Sequence, residues 1–312
     1  ETAGVEILLS TTGESLITDD LGNVVGAMAT DSEGNVMTIK ANAVVIATGG
    51  YSNNPELTEL LDPQFAGTFG IGFPGATGDG LIMASNIGAA VTHSSHLMAV
   101  LKDYEIMSEY NGTSSSATVS SFMGLDNVIM VGAEAQRFVD EKSGGYMSQE
   151  LNFPVFEQMN KDNLGYVWAI SDVATVEAAG VVRGNDMEFI TADTVEELAS
   201  LMGLDAETLQ ETIDTYNGYV DVGYDEEFKR TDLAKLEAPY VAVAVVPCEI
   251  ITYGGLARND QSEVLRADGT TIGGLYAAGE VTANSAYMGF TISNAITWGR
   301  IAGEQAANYI PE

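Results

Sequence analysis

Gly274-Leu-Tyr-Ala-Ala-Gly-Glu280, then Gly289-Phe-Thr-Ile-Ser-Asn-Ala295 running into Trp298-Gly-Arg-Ile-Ala-Gly-Glu304, decides the fold of this chain. Leu275–Ala278 is a short apolar run with glycine on both sides, which predicts a buried strand. Gly279 allows close backbone approach beyond that strand, and Glu280 places a hydroxyl-binding carboxylate there. From Ser293 the pattern becomes helical. Ile296, Gly299, Ala302 and Gly303 predict a low-bulk face for close packing on a sheet. The first turn of this helix, with Ser293, Asn294, Ala295 and Ile296, aims free N–H groups at the end of the strand. Such an end stabilises an anion.

Two upstream stretches fit the same scheme. Ala43-Val-Val-Ile-Ala-Thr-Gly-Gly50 reads as a central parallel strand whose Thr48, Gly49 and Gly50 expose backbone at its end. Ile251-Thr-Tyr-Gly-Gly255 precedes the decisive run. Together T-x-G-G, G-L-Y-A-A-G-E and N-A-I-x-x-G-R-I-A-G resemble the C-terminal third of the fumarate reductase and succinate dehydrogenase flavoprotein family. That family includes urocanate reductases and 3-ketosteroid dehydrogenases, and the resemblance extends over nearly the whole chain.

The resemblance implies an α/β fold with an α+β cap: a partial FAD-binding Rossmann-like domain carrying an inserted capping domain. The expected divisions are 1–96 for the first part of the FAD-binding domain, 97–247 for the capping domain and 248–312 for its C-terminal part. The implied cofactor is FAD. Thr48, Gly49, Gly50, Gly78, Asp79, Gly254, Gly255, Gly279, Glu280 and Ser293–Ile296 are expected to hold it. Asp79 has a second reading, as a simple helix N-cap. Gly289 and Phe290 are expected on the substrate side.

The chain begins at Glu1 inside an expected strand, Val5–Ser10, without the strand, Gly-x-Gly-x-x-Gly turn and helix that open such proteins. Gly70-Ile-Gly-Phe-Pro-Gly75 matches that turn literally but contains Pro74 and lacks a strand–turn–helix setting. The sequence therefore predicts a fragment or one piece of a split protein, with an N-terminal segment as its partner.

Composition narrows the partners. The 312 residues hold 12 Lys and Arg against 45 Asp and Glu, a net charge of −33. Such a chain repels nucleic acid and anionic membrane surfaces. No apolar run has membrane-spanning length, so a soluble protein without membrane insertion is expected, cytoplasmic or exported. A single cysteine, Cys248, excludes an internal disulfide. His93 and His96 lack a third ligand nearby, and no metal site is expected.

Residues 5–40 alternate between short apolar runs and turns, predicting a small antiparallel meander. Asn53-Asn54-Pro55 opens a helix. Thr194 with Glu197 forms a capping box, and Asp205 opens a second helix.

The resemblance also defines the chemistry to test. Family members exchange hydride between flavin and a C=C bond beside an electron-withdrawing group, and a cap residue handles the proton. The dicarboxylate reductases use cations for this. Here Gly144-Gly-Tyr146 stands where the acid arginine is expected, Ile251 where a histidine is, and Phe290 where the binding arginine is. A desolvated dicarboxylate needs such partners. The segment from Gly289 instead resembles the ketosteroid dehydrogenases, which use tyrosines. Tyr146, Tyr253 and Tyr287 are the corresponding catalytic candidates, with packed aromatics as their alternative reading. Arg137, in Arg137-Phe-Val-Asp-Glu141, is either an ion-paired structural cation or a proton donor.

The leading expectation is an FAD-dependent oxidoreductase acting on the CH–CH or C=C bond of an apolar, enone-like, steroid-like small molecule. Its electron donor is not legible. The alternatives are a reductase of a carboxylate-bearing alkene (fumarate, urocanate or acrylate type) and a non-catalytic flavin-fold fragment.

Overall fold

The computed structural model describes residues 4–93, 97–108, 119–145, 147–181, 189–283 and 290–311. In chain order the first elements are β1 (Thr11–Thr18), β2 (Val24–Asp31), β3 (Val36–Lys40), β4 (Val44–Ile46), α1 (Pro55–Leu61), β5 (Phe69–Gly70), α2 (Asp79–Ser85) and β6 (Val91–Thr92). There follow β7 (Leu97–Asp103), α3 (Tyr104–Ser108), α4 (Ser120–Met123), β8 (Ile129–Val131), α5 (Gln149–Asp162), β9 (Val167–Asp172), α6 (Val173–Ala178) and β10 (Ile190–Ala192). The last are α7 (Val195–Met202), α8 (Ala206–Val222), β11 (Tyr240–Thr252), β12 (Gly255–Leu256), β13 (Glu263–Leu265), β14 (Thr271–Ala277) and α9 (Thr291–Asn308).

The chain divides into two compact units. One comprises residues 1–63, 73–97 and 251–312, the other 64–72 and 98–250.

In the first unit β1, β2 and β3 form an antiparallel meander, as alternation and the turns after Asp19 and Asp31 predict. Each turn is closed by an aspartate accepting from backbone: Asp19 takes the N–H groups of Leu21 and Asn23, and Asp31 those of Glu33 and Asn35. A second sheet has the order β13-β14-β4, with β14 and β4 parallel in the register Leu275↔Val44 through Ala277↔Ile46. The apolar core beneath includes Ile46, Tyr51, Leu81, Leu256, Ile272 and Leu275.

Three sequence expectations for this unit change. Val5–Ser10 is not a strand: residues 4–8 are irregular, and Val5, Ile7 and Leu9 are 64–81% exposed. A strand forms only where a neighbour accepts its backbone hydrogen bonds, and no described residue pairs with this run. The Ala43–Gly50 run is only three residues of strand, paired with β14 on one side among the described residues. The inward face of α9 is not the expected small-residue stripe. Ile296, Gly299 and Gly303 are exposed, and Ala302, Trp298 and Ala306 pack against Tyr276 and Ala278.

The second unit is built on the sheet order β10-β11-β9-β8, with β5 and β7 also pairing to β11. Its central strands β9 and β11 are antiparallel and largely buried. α7 and α8 pack on one face, burying Leu198, Leu209, Ile213 and Tyr216 against Ile129, Ile170 and Ala242. Both helices start as predicted. Thr194 Oγ1 accepts from Glu197 N at 3.1 Å, Glu197 Oε2 accepts from Asp193 N, and Asp205 Oδ1 accepts from Thr208 N. Gly70–Gly75 begins within the two-residue strand β5, and no helix starts at its last glycine; the next one, α2, begins at Asp79.

Candidate functional site: a glycine-lined crevice at paired strand ends

Because β4 and β14 are parallel neighbours, their carboxyl ends open side by side, bringing Thr48-Gly49-Gly50 next to Gly279-Glu280. This is the position at which open α/β sheets form a ligand crevice. Gly50 is where the two ends meet. A Cβ there would run into Thr252 Oγ1 and Glu280 Oε1, so any side chain would force these two groups to move. Gly279 has φ +80°, a left-handed conformation that frees its N–H from the strand pattern.

Glu280 is fixed by Thr252, whose N–H donates to Oε1 at 3.0 Å and whose hydroxyl lies 3.3 Å from the same oxygen. Burial pushes the Glu280 carboxyl above its ordinary value, and the Thr252 hydrogen bonds oppose that rise. Thr252 is buried and also lies 3.4 Å from Tyr51 N. It is the threonine of T-x-G-G, and its position in that motif was the only signal of this anchoring role.

The Thr77–Asp79 turn joins the same crevice through a hydrogen bond from Gly78 N to Gly50 O at 3.1 Å. Gly78, in the left-handed region, is the N-cap of α2, and exposed Asp79 is its first helical residue. The N-cap reading of Asp79 is thereby corrected: Gly78 takes the cap geometry and leaves the Asp79 carboxylate free to face solvent. Gly80, the second residue of α2, sits against Thr48. Gly254 and Gly255 are buried, with Gly255 lying against the backbone of Val281.

α9 begins beside this crevice. Its N-cap is Phe290, and Ala295 is the residue facing Gly279. Ser293, Ala295 and Ile296 are exposed, Asn294 is half-buried, and the first-turn N–H groups have no partner within the helix. The arrangement combines a glycine-lined gap, an anion-favouring helix end and a carboxylate that can accept from hydroxyls.

Of the substrate-side candidates, Phe290 is 64% exposed. Tyr253 is half-buried directly after Thr252. Burial raises its phenol above the ordinary value, and the charge of Glu280 adds to the rise. Tyr146, Tyr287 and Gly289 lie outside the described residues. His93 Nδ1 is 2.9 Å from Leu61 O, and His96 is also outside them. Among the described residues no group of three His, Cys, Asp or Glu could hold a metal ion. Nor is any described helix long and apolar enough to cross a membrane.

Arg137 belongs to the second unit, in a buried ion network. Its Nε donates to Glu141 Oε1 at 2.9 Å and its Nη2 to Glu141 Oε2 at 2.8 Å, with Asp225 Oδ2 2.9 Å from Nη2. Arg230 donates to the same Glu141 and to the carbonyls of Val128, Asp126 and Asp232. Burial would lower the Arg137 guanidinium, but Glu141 and Asp225 more than offset it and hold the charge on. Asp225 and Arg230 carried no signal of this kind in sequence, because Arg230 meets Glu141 across 89 positions of the chain; Glu141 itself stands four residues after Arg137.

A two-unit α/β chain with this crevice is a dinucleotide-cofactor protein. The chain belongs to the FAD binding domain family, whose pattern matches residues 1–294. It is 31% identical to a fumarate reductase (cytochrome) of Shewanella frigidimarina over 98% of this chain and 52% of that protein. Among solved structures, it resembles an open conformation of a flavocytochrome c3 fumarate reductase: 31% identity, TM-score 0.74, covering 98% of this chain and 53% of the other. It is also similar to 3-ketosteroid Δ1-dehydrogenase from Sterolibacterium denitrificans in complex with 1,4-androstadiene-3,17-dione. That match has 26% identity and TM-score 0.80, covering 97% of this chain and 60% of the other. The chain spans about half the length of the curated fumarate reductases it matches.

The residues present fit the family's cofactor. The gap that a side chain at Gly50 would fill, the left-handed Gly279, the Glu280 carboxylate and the α9 N-terminus suit a group that is both hydroxylated and anionic.

Proposed function

We propose that the protein acts as an FAD-dependent oxidoreductase on an activated C=C or CH–CH bond of an apolar, enone-like substrate. When bound, FAD supplies the two-electron hydride chemistry of its family. In this reading Gly49, Gly50, Gly279 and the first turn of α9 give the cofactor close backbone contact, and Glu280 accepts from its hydroxyls. Gly78, Asp79, Gly254 and Gly255 complete the same lining.

What supports the substrate class is the residue type at the positions where the resembling dicarboxylate reductases carry cations. Ile251 and exposed Phe290 stand at two of them and half-buried Tyr253 lies beside the first, so apolar and phenolic groups replace the partners a dicarboxylate would need. Arg137 supports the same reading to the extent that its Nε and Nη2 are taken by Glu141 and Asp225. Tyr253 keeps its proton at neutral pH, and its O–H is suited to donate to a developing enolate oxygen. Tyr146 and Tyr287 are proposed as further phenols for proton traffic, with Gly289 and Phe290 contacting substrate.

The experiment is steady-state turnover by the full-length protein with a reduced dye as donor. Fumarate, urocanate and a steroid enone are compared. Enone reduction or its reverse is expected to dominate. Turnover of fumarate with none of the enone would refute the assignment.

A further inference from the structure

The second unit contains a cavity of about 260 Å³ that the oxidoreductase reading does not use. It is lined by Gln136, Arg137, Glu211, Thr215, Tyr216 and Glu227, so it lies between α8 and the loop after it. Arg137 is part of its lining: its side chain is 2% exposed, its guanidinium carbon lies 5.2 Å from the centre of the Tyr216 ring, and its third nitrogen, Nη1, is buried. Unlike Nε and Nη2, Nη1 has no hydrogen-bond partner among the described residues. Glu227 Oε2 stands 3.9 Å from it, beyond hydrogen-bond range. A buried donor left in this state costs free energy until an acceptor reaches it.

The charges specify what can reach it. The buried pairs Arg137 and Arg230 against Glu141 and Asp225 cancel. Glu227 and the exposed Glu211 on the cavity wall are then in excess, and both are acids. A simple anion would satisfy Nη1 but would be repelled by these two carboxylates. A simple cation would suit the carboxylates but leave Nη1 bare. A molecule with both charges meets both demands, with Thr215 and Gln136 available for further hydrogen bonds.

We propose that this cavity is a binding site for a small zwitterion, a free α-amino acid, whose carboxylate pairs with Arg137 Nη1 and whose ammonium lies between Glu227 and Glu211. The cavity belongs to the second unit and the glycine-lined crevice to the first, and the proposal does not depend on the substrate assignment.

Titration calorimetry on the full chain, with glycine, L-serine, acetate, methylammonium and glycerol as probes, tests this. The amino acids are expected to bind about tenfold or more tighter than the three single-function probes. Glu227→Gln and Glu211→Gln, at exposed carboxylates, should each weaken glycine or serine by about tenfold with an unchanged circular dichroism spectrum. Thr215→Phe, at an exposed helical position, should fill the cavity and abolish binding while leaving the ion network intact. Acetate, methylammonium or glycerol binding as tightly as glycine overturns the proposal. So does no heat from either amino acid up to about 10 mM, or amino-acid binding unaffected by Thr215→Phe.

Discussion

Gly50 and Tyr253 test the crevice at the level of single residues. In Gly50→Ala the new methyl would meet Thr252 Oγ1 and Glu280 Oε1, both part of the anchoring hydrogen bonds. The expected cost is about 1–3 kcal/mol, from the steric strain of overpacking. FAD content of the purified protein should fall with it, and thermal melting with a flavin absorbance ratio checks both. Tyr253→Phe leaves packing nearly unchanged and removes only the O–H. Under the proposed function it should lower kcat roughly 100-fold with little change in KM. Burial and Glu280 hold the phenol above its ordinary value of 10. Activity should therefore persist through neutral pH and fall as pH rises past that raised value. The variant should lack this alkaline limb, and a pH–rate profile extended above pH 10 decides it.

At the level of elements, α9 and the strand–loop network around Glu141 behave differently from what local patterning suggests. Gly299 was expected to pack, yet a Cβ there meets nothing within 4 Å. Gly299→Ala should stabilise the chain by about 0.5–1 kcal/mol, because it removes glycine's backbone entropy from a helix interior at no steric cost. A rise in melting temperature checks it; a fall would mean that this face is covered. Glu141 holds two buried guanidinium groups and also accepts from Met130 N at 3.0 Å. Glu141→Gln should cost about 3–5 kcal/mol, read as a lower urea midpoint, since it leaves buried positive charge uncompensated. Asp225 adds a pH dependence. Burial opposes its charge, but the N–H of Phe228 and the Arg137 guanidinium outweigh burial and hold it below its ordinary 3.8. Its contribution to stability is complete above pH 3.8 and is lost as pH falls through the lower folded value. Glu280 has the opposite sign. Its raised value makes its contribution largest below 4.5 and loses it as pH rises.

On the scale of the whole molecule, a net charge of −33 is the dominant long-range term. Self-repulsion of this size destabilises a compact chain and is screened by salt over a Debye length of about 10 Å at 0.1 M. Melting temperature should rise as sodium chloride is added from low ionic strength. A flat or falling response would show that local ion pairs outweigh the net charge.

The grouping of Thr48, Gly49 and Gly50 with Gly279 and Glu280 came from the resemblance to a flavoprotein family; what the sequence carried by itself was the two short strand runs that end at these residues and the helix starts at Thr194 and Asp205. These are local matters: glycine between apolar runs and a capping side chain three residues from its N–H act over a few positions. Only tertiary structure decided that Val5–Ser10 remains irregular, that α9 packs through Trp298 and Ala302, that Thr252 anchors Glu280, and that Arg137 pairs with Asp225. Each depends on which distant group supplies a hydrogen bond or covers a face. No run of neighbouring residues encodes that, because the partners meet only after the chain has folded.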